Sequence, residues 1–150
     1  LRRYENKLVN ERIRLIISGD LSEISEKLRN RSISVMKNTE RFVGKTLNIA
    51  INYGGRAEIV RAAKLLAEAG EPITEENLAG RLYTTGLPDI DLVVRTSGES
   101  RLSNFFLWQC AYAELYFTDV LWPDFKTEEL KKALDWFAGR KRRFGNITNA

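Results

Sequence analysis

The sequence predicts an α/β fold, a mostly parallel sheet flanked by helices, because short β-branched runs alternate along it with longer segments of helical periodicity. Composition agrees: 150 residues that are 43% hydrophobic and 29% charged make a soluble domain able to bury about 70% of its unfolded surface. No repeat, low-complexity tract or linker divides the chain, so one domain is expected. Residues 1–10 read as the tail of a helix. Arg12-Ile13-Arg14-Leu15-Ile16-Ile17 is a strand closed by the turn Ser18-Gly19-Asp20. From Ser25 to about Val43, Leu28, Ile33, Val35, Met36 and Phe42 fall at helical spacing, with Gly44 as the stop. A second strand occupies residues 47–52. Tyr53-Gly54-Gly55 then launches a helix through Ile59, Val60, Ala63 and Leu66 that ends at Gly70. A short helix follows Thr74, a third strand covers residues 91–95, and a fourth covers 113–117 within an aromatic-rich stretch. The last helix runs from about Thr127 to Gly139.

Charge and composition narrow the chemistry. Lys+Arg exceed Asp+Glu by 24 − 20 = 4 and the pI is near 9.3, a mild bias toward an anionic ligand. With no histidine, Ser-His-Asp and Cys-His nucleophiles, imidazole bases and His-containing metal sites are excluded, which leaves carboxylates, cations or metal. The single cysteine, Cys110, rules out an intrachain disulfide and fits a reducing, cytoplasmic setting. No signal peptide and no run of 18 apolar residues is present. The first residue is Leu1, so a piece of a longer chain is expected.

Two polar clusters fall where open α/β sheets hold ligands, just beyond strands. The richer is Arg95-Thr96-Ser97-Gly98-Glu99-Ser100-Arg101-Leu102-Ser103-Asn104. Arg95 and Arg101 supply guanidinium forks that match phosphoryl oxygens, and Ser103 adds a neutral donor. An equal alternative pairs these arginines with Glu99 or Asp91 on a solvated loop. The weaker cluster is Asn52-Tyr53-Gly54-Gly55-Arg56, where the glycines need only turn the chain. Glu114 lies in the apolar run Ala111 to Phe117, where an acid requires a partner. That partner is either a hard cation such as Mg²⁺ or a buried arginine. Eight of the fifteen aromatics fall between Phe105 and Phe125, enough for core packing and for a subunit interface. They are not interleaved with Lys and Arg, so no nucleic-acid platform is expected. Arg140-Lys141-Arg142-Arg143 complements a helix C-terminus.

Taken together, the segments Asp91 to Phe105 and Tyr112 to Phe125, with Asn48-Ile49-Ala50, Asn52-Tyr53-Gly54-Gly55-Arg56 and Arg142-Arg143-Phe144-Gly145, closely resemble the cis-prenyltransferase family. The resemblance implies condensation of isopentenyl diphosphate onto an allylic diphosphate such as farnesyl diphosphate, with Mg²⁺ as cofactor. It implies that Arg95, Arg101 and Ser103 grip the isopentenyl diphosphate and that Glu114 is the acid at the metal-diphosphate site. Gly145 resembles the terminal motif that reaches the neighbouring subunit's site in a homodimer. Peripheral membrane contact through the lipid product is implied as well. Ser100 stands where some members have His. The family's Asp-Gly-Asn-Gly-Arg loop does not occur in the sequence, so the catalytic aspartate lies outside it. The chain therefore resembles the C-terminal portion of one such domain, with the N-terminal strands of the family fold missing, and inactivity of the chain alone is expected. The alternative is a non-catalytic partner subunit of a heteromeric enzyme.

Overall fold

The computed structural model describes residues 2–140; the expected terminal motif with Gly145 lies outside the described residues. The chain groups into two compact units, Leu1–Gly86 and the residues from Leu87 onward, and each is described by itself. Both are α/β with parallel strands and flanking helices, as the alternating pattern predicts.

The first unit runs α1 (Arg2–Asn10), β1 (Ile13–Ser18), α2 (Glu26–Thr39), β2 (Lys45–Ala50), α3 (Gly55–Ala69) and α4 (Glu75–Ala79). β1 and β2 pair in parallel from Ile13 opposite Lys45 to Ser18 opposite Ala50, with α2 as the crossover that parallel neighbours require. Period-two alternation puts Leu15 and Ile17 on one face of β1, where they bury with Leu8 of α1 and Val35 of α2. α2 stops at Thr39, short of the glycine expected to end it. The Thr39 hydroxyl accepts from the Leu15 backbone N–H at 3.0 Å and donates to the Val35 carbonyl at 2.9 Å. It thereby satisfies a strand donor that has no ladder partner on that edge.

β2 begins and ends two residues earlier than its apolar pattern suggests. Asn52 takes a left-handed φ of 46° and its side-chain amide donates to the Asp20 carbonyl at 3.1 Å, so the chain is already turning. Opposite it, Gly19 has φ 126°, and a Cβ there would stand 2.0 Å from the Ile51 carbonyl oxygen. Only glycine permits that approach. α3 closes on Gly70 at φ 68°, whose N–H bonds the Ala67 carbonyl while Glu71 N–H bonds that of Leu66, a left-handed helix stop.

The second unit comprises β3 (Leu92–Arg95), β4 (Glu114–Phe117), a 3₁₀ turn (Trp122–Asp124) and α5 (Thr127–Ala138). β3 and β4 are parallel, with Leu92 opposite Glu114 and Arg95 opposite Phe117. Val93, Phe106, Cys110 and Ala133 are buried in this unit. Proline in the 3₁₀ turn sits near its start, where a missing N–H costs nothing.

Candidate functional site

Arg95 is the last residue of β3, so its side chain leaves the carboxyl end of the parallel pair. The loop beyond it stays tied to the chain that leaves β4: Ser97 N–H bonds the Val120 carbonyl at 2.9 Å and Gly98 N–H that of Thr118 at 3.0 Å. Further on, Ser103, Asn104 and Phe106 all have positive φ, at 48°, 65° and 40°. Three non-glycine residues in that region within four positions cost of order 1–3 kcal/mol each and mark a loop held by its surroundings. The anchors are evident: Phe106 is buried, its carbonyl accepts from Cys110 N–H at 2.8 Å, and its ring meets Phe105 edge-on at 4.6 Å.

This loop brings together the three residues expected to grip a phosphate. Arg95 Nη1 donates to Ser103 Oγ at 3.0 Å and to the Arg101 carbonyl. Arg101 pairs through Nη1 with Glu99 Oε2 in an exposed ion pair. An open cleft of about 350 Å³ is bounded by Val93, Val94, Arg95, Arg101, Leu102, Ser103 and Phe105. A lining of two cations, a hydroxyl and apolar side chains suits a small molecule with an anionic head and a hydrocarbon end. The ion-pair alternative for Arg101 is thus met as well: Glu99 is its partner here.

Glu114 lies elsewhere. It opens β4, opposite Leu92, three residues from the level of Arg95, or about 10 Å along the strand. The odd spacing also places it on the other face of the pair: Leu92, Val94, Glu114 and Tyr116 share one side, and Val93, Arg95, Leu115 and Phe117 the other. Its Oε2 accepts from Arg140 Nε at 3.0 Å. The Arg140 guanidinium stands 5.1 Å over the Trp136 ring, and Trp136 lies 5.4 Å from Tyr116. The arginine alternative for this acid is met by Arg140, half-exposed where a buried one was anticipated. Among the described residues no three His, Cys, Asp or Glu side chains group as a metal site. Mg²⁺ needs only one or two carboxylates beside substrate phosphate oxygens, and Glu114 is one such carboxylate, about 10 Å along the strand from the level of Arg95.

In the first unit, the weaker cluster borders a separate open crevice of about 480 Å³ at the carboxyl ends of β1 and β2, among Gly19, Asp20, Asn52, Arg61, Lys64 and Tyr83. Hydrogen bonds from the side chain and backbone of Ser22 hold the Asp20 carboxyl below its usual range. Beside the crevice Glu58 is buried, accepting from Tyr53 Oη and from Tyr83 N–H at 2.7 Å. Sequence reasoning passed over Glu58, although its spacing with Ala62 and Leu66 places it on the buried stripe of α3. Arg61 stacks over Tyr83 at 4.1 Å and donates to the Arg81 carbonyl. In the sequence Arg140 reads as one of four cations that complement a helix C-terminus, and nothing in a linear reading links it to Glu114.

A family model described as undecaprenyl diphosphate synthase matches residues 1–145. A Vibrio vulnificus protein named ditrans,polycis-undecaprenyl-diphosphate synthase ((2E,6E)-farnesyl-diphosphate specific) is 45% identical over 146 residues, covering 93% of this chain and 58% of that protein. An isoprenyl transferase of Fusobacterium nucleatum is 45% identical over 150 residues, 99% of this chain and 65% of the relative. Among solved structures, a probable undecaprenyl diphosphate synthase from Campylobacter jejuni aligns with TM-score 0.87 at 39% identity, over 97% of this chain and 69% of that one. Lavandulyl diphosphate synthase from Lavandula x intermedia, in complex with dimethylallyl diphosphate, aligns with TM-score 0.84 at 36% identity over the same shares. The chain spans about three fifths of the length of the curated relatives it matches.

Proposed function

The chain belongs to the undecaprenyl diphosphate synthase family of prenyltransferases, and we propose that it serves cis-prenyl chain elongation, condensing isopentenyl diphosphate with a farnesyl diphosphate-like allylic diphosphate. The observation that carries this reading is the convergence of Arg95, Arg101 and Ser103 on one cleft at the carboxyl end of β3. Arg95 braces the loop through Ser103 and the Arg101 carbonyl, and Arg101 offers a fork whose present partner is a weak, exposed carboxylate. A diphosphate arriving there exchanges that partner for a doubly charged one. Its isopentenyl end then lies against Val93, Leu102 and Phe105, which bound the same cleft.

In the reaction, the double bond of isopentenyl diphosphate forms a new carbon–carbon bond with the allylic carbon, the allylic C–O bond breaks to release diphosphate, and one proton is lost. This chain's part in that reading is to hold and orient the nucleophilic partner, the step in which pre-paid entropy counts most. Magnesium belongs to the proposal as the ion that neutralises departing diphosphate charge, with Glu114 as the carboxylate this chain offers it. Exposed Leu121 and Trp122 and the aromatic run around them support a homodimer, in which Gly145 serves the neighbouring subunit. No helix among the described residues is long and apolar enough to cross a membrane.

The experiment is radiolabelled isopentenyl diphosphate with farnesyl diphosphate and Mg²⁺, given to this chain alone and to an enzyme in which the chain is joined to the N-terminal portion of a relative. Polyprenyl product from the joined form and none from the chain alone is expected. Absence of product from both would overturn the assignment; product from the chain alone would overturn its dependence on that portion.

A further inference from the structure

β1 and β2 run parallel, so both begin at one end of the sheet, with Ile13 opposite Lys45. Two short loops meet water at that end. One leads from α1 into β1 through Arg12, at a left-handed φ of 52°. The other, residues 40–44, leads from α2 into β2. Its start is fixed by the Phe42 N–H, which bonds the Thr39 carbonyl at 3.0 Å, and at its end Gly44, at φ 98°, has open space where a Cβ would stand. Between them Val43 is 91% exposed, the highest value for any large hydrophobic side chain among the described residues. Cations surround it in sequence and in register. Arg12, Lys37, Arg41 and Lys45 are all exposed, and none of them is in an ion pair among the described residues. Arg41 lies 5.0 Å over the Phe42 ring. The acids of these loops are Glu11 and Glu40, and Glu11 is already paired with Lys7 at 3.8 Å. On the face of the sheet that starts here, an open cleft of about 460 Å³ has Leu8, Ile13, Leu15, Leu47 and Ile49 in its lining. Ile13 is the first residue of β1 and Leu47 the third of β2, so the apolar lining reaches the same end.

We propose that the amino end of the β1–β2 pair is a docking surface for an anionic lipid bilayer. The cations meet lipid phosphates, each adding a screened attraction near the surface, and Val43 reaches the boundary between headgroups and acyl chains. A nucleic acid would satisfy the same cations but offers an apolar tip such as Val43 no hydrocarbon to enter. The choice of a bilayer rests on the prenyl-transfer reading, whose product is hydrocarbon for most of its length and passes at less cost into lipid than into water.

The test is sedimentation of an active enzyme containing this chain with two kinds of vesicle: pure phosphatidylcholine, and phosphatidylcholine with about one lipid in three replaced by phosphatidylglycerol. Binding to the anionic vesicles should exceed binding to the neutral ones by about tenfold or more and fall as salt is raised. Arg41→Gln/Lys45→Gln should bind the anionic vesicles about 30-fold more weakly, and Arg12→Gln/Lys37→Gln serves as a second pair. Val43→Asp should lose about fivefold or more. Lys64→Gln/Lys131→Gln, which removes the same charge elsewhere, should stay within about threefold of wild type. Every substituted side chain is exposed, and circular dichroism confirms that each variant is folded. The proposal is overturned if both kinds of charge-neutralised pair lose binding equally, which marks net charge alone, or if Val43→Asp binds as wild type does. A DNA duplex bound as tightly as the anionic vesicles, with the same loss in Arg41→Gln/Lys45→Gln and none in Val43→Asp, overturns it as well. Sedimentation needs no turnover: an enzyme that docks in the expected pattern but makes no product strikes only at the prenyl-transfer reading, and one that makes product without docking overturns only the surface.

Discussion

Replacing Arg101 by alanine tests the phosphate cluster, and its partner Glu99 makes the magnitude calculable. Both members of the pair are well exposed, with 64% and 39% of their side chains accessible, so the ion pair contributes roughly 0–1 kcal/mol. A charge-assisted bond to a diphosphate oxygen contributes about 1.5–3 kcal/mol. Giving up Glu99 for the ligand therefore leaves about 0.5–3 kcal/mol, equivalent to a Kd for isopentenyl diphosphate roughly 2- to 160-fold weaker in Arg101→Ala. The same ledger fixes the sign for Glu99→Gln: releasing Arg101 leaves affinity unchanged or strengthens it by at most about fivefold. Calorimetric titration of an active enzyme containing the chain, at two salt concentrations, reads both. The wild-type advantage over Arg101→Ala should shrink at high salt, because an exposed site is screened. Arg101→Ala binding within twofold of wild type would refute the reasoning. So would a tenfold loss in Glu99→Gln, because Glu99 would then be contacting the ligand complex itself.

Three further outcomes follow from the packing. Gly19→Ala should cost more than the roughly 1–3 kcal/mol of left-handed strain alone, since its methyl would meet the Ile51 carbonyl at 2.0 Å; a urea midpoint unchanged from wild type would contradict the close approach. Thr39→Val keeps the shape but leaves the Leu15 N–H unpaired, for a loss of about 1–3 kcal/mol in urea unfolding, whereas Thr39→Ser should stay near wild type. Burial pushes the Cys110 thiol up from its ordinary value, so the native chain should react with iodoacetamide at pH 8 far more slowly than the urea-unfolded chain. The sign for stability follows: the neutral thiol is favoured when folded, so its contribution is present below the ordinary thiol pKa and is lost as pH rises through the raised one.

Local signals in the sequence reach as far as the forces that act locally. β1, β3 and β4 fall within a residue of the short runs that predict them, and β1 and β3 are β-branched with a buried face. The end of α2 was not readable: apolar spacing continues to Val43, yet Val43 is 91% exposed and the helix stops where Thr39 turns its hydroxyl to β1. That choice is made by a donor 24 positions away. The proximity of Arg95, Arg101 and Ser103 is legible for the opposite reason, since they lie within nine residues of one another on a single loop. Glu114 and Arg140 are 26 positions apart, and the acid's chemistry admitted a cation of either kind. Only the register of β4 against β3 decides how far it stands from Arg95.

Under the proposed function, the ion-pair and phosphate readings of one loop are compatible. Arg95 and Arg101 are already engaged, but with partners of unequal grip: a hydroxyl and a backbone carbonyl for the first, an exposed carboxylate for the second. A cation left wholly unpaired would let the loop wander, and one locked in a buried pair could not be recruited without a cost of several kcal/mol. The strained backbone at Ser103, Asn104 and Phe106 is retained because Phe106 is buried and its burial can offset the left-handed cost. On the proposed function, a diphosphate arriving at a backbone so fixed has little to order beyond the Arg101 side chain.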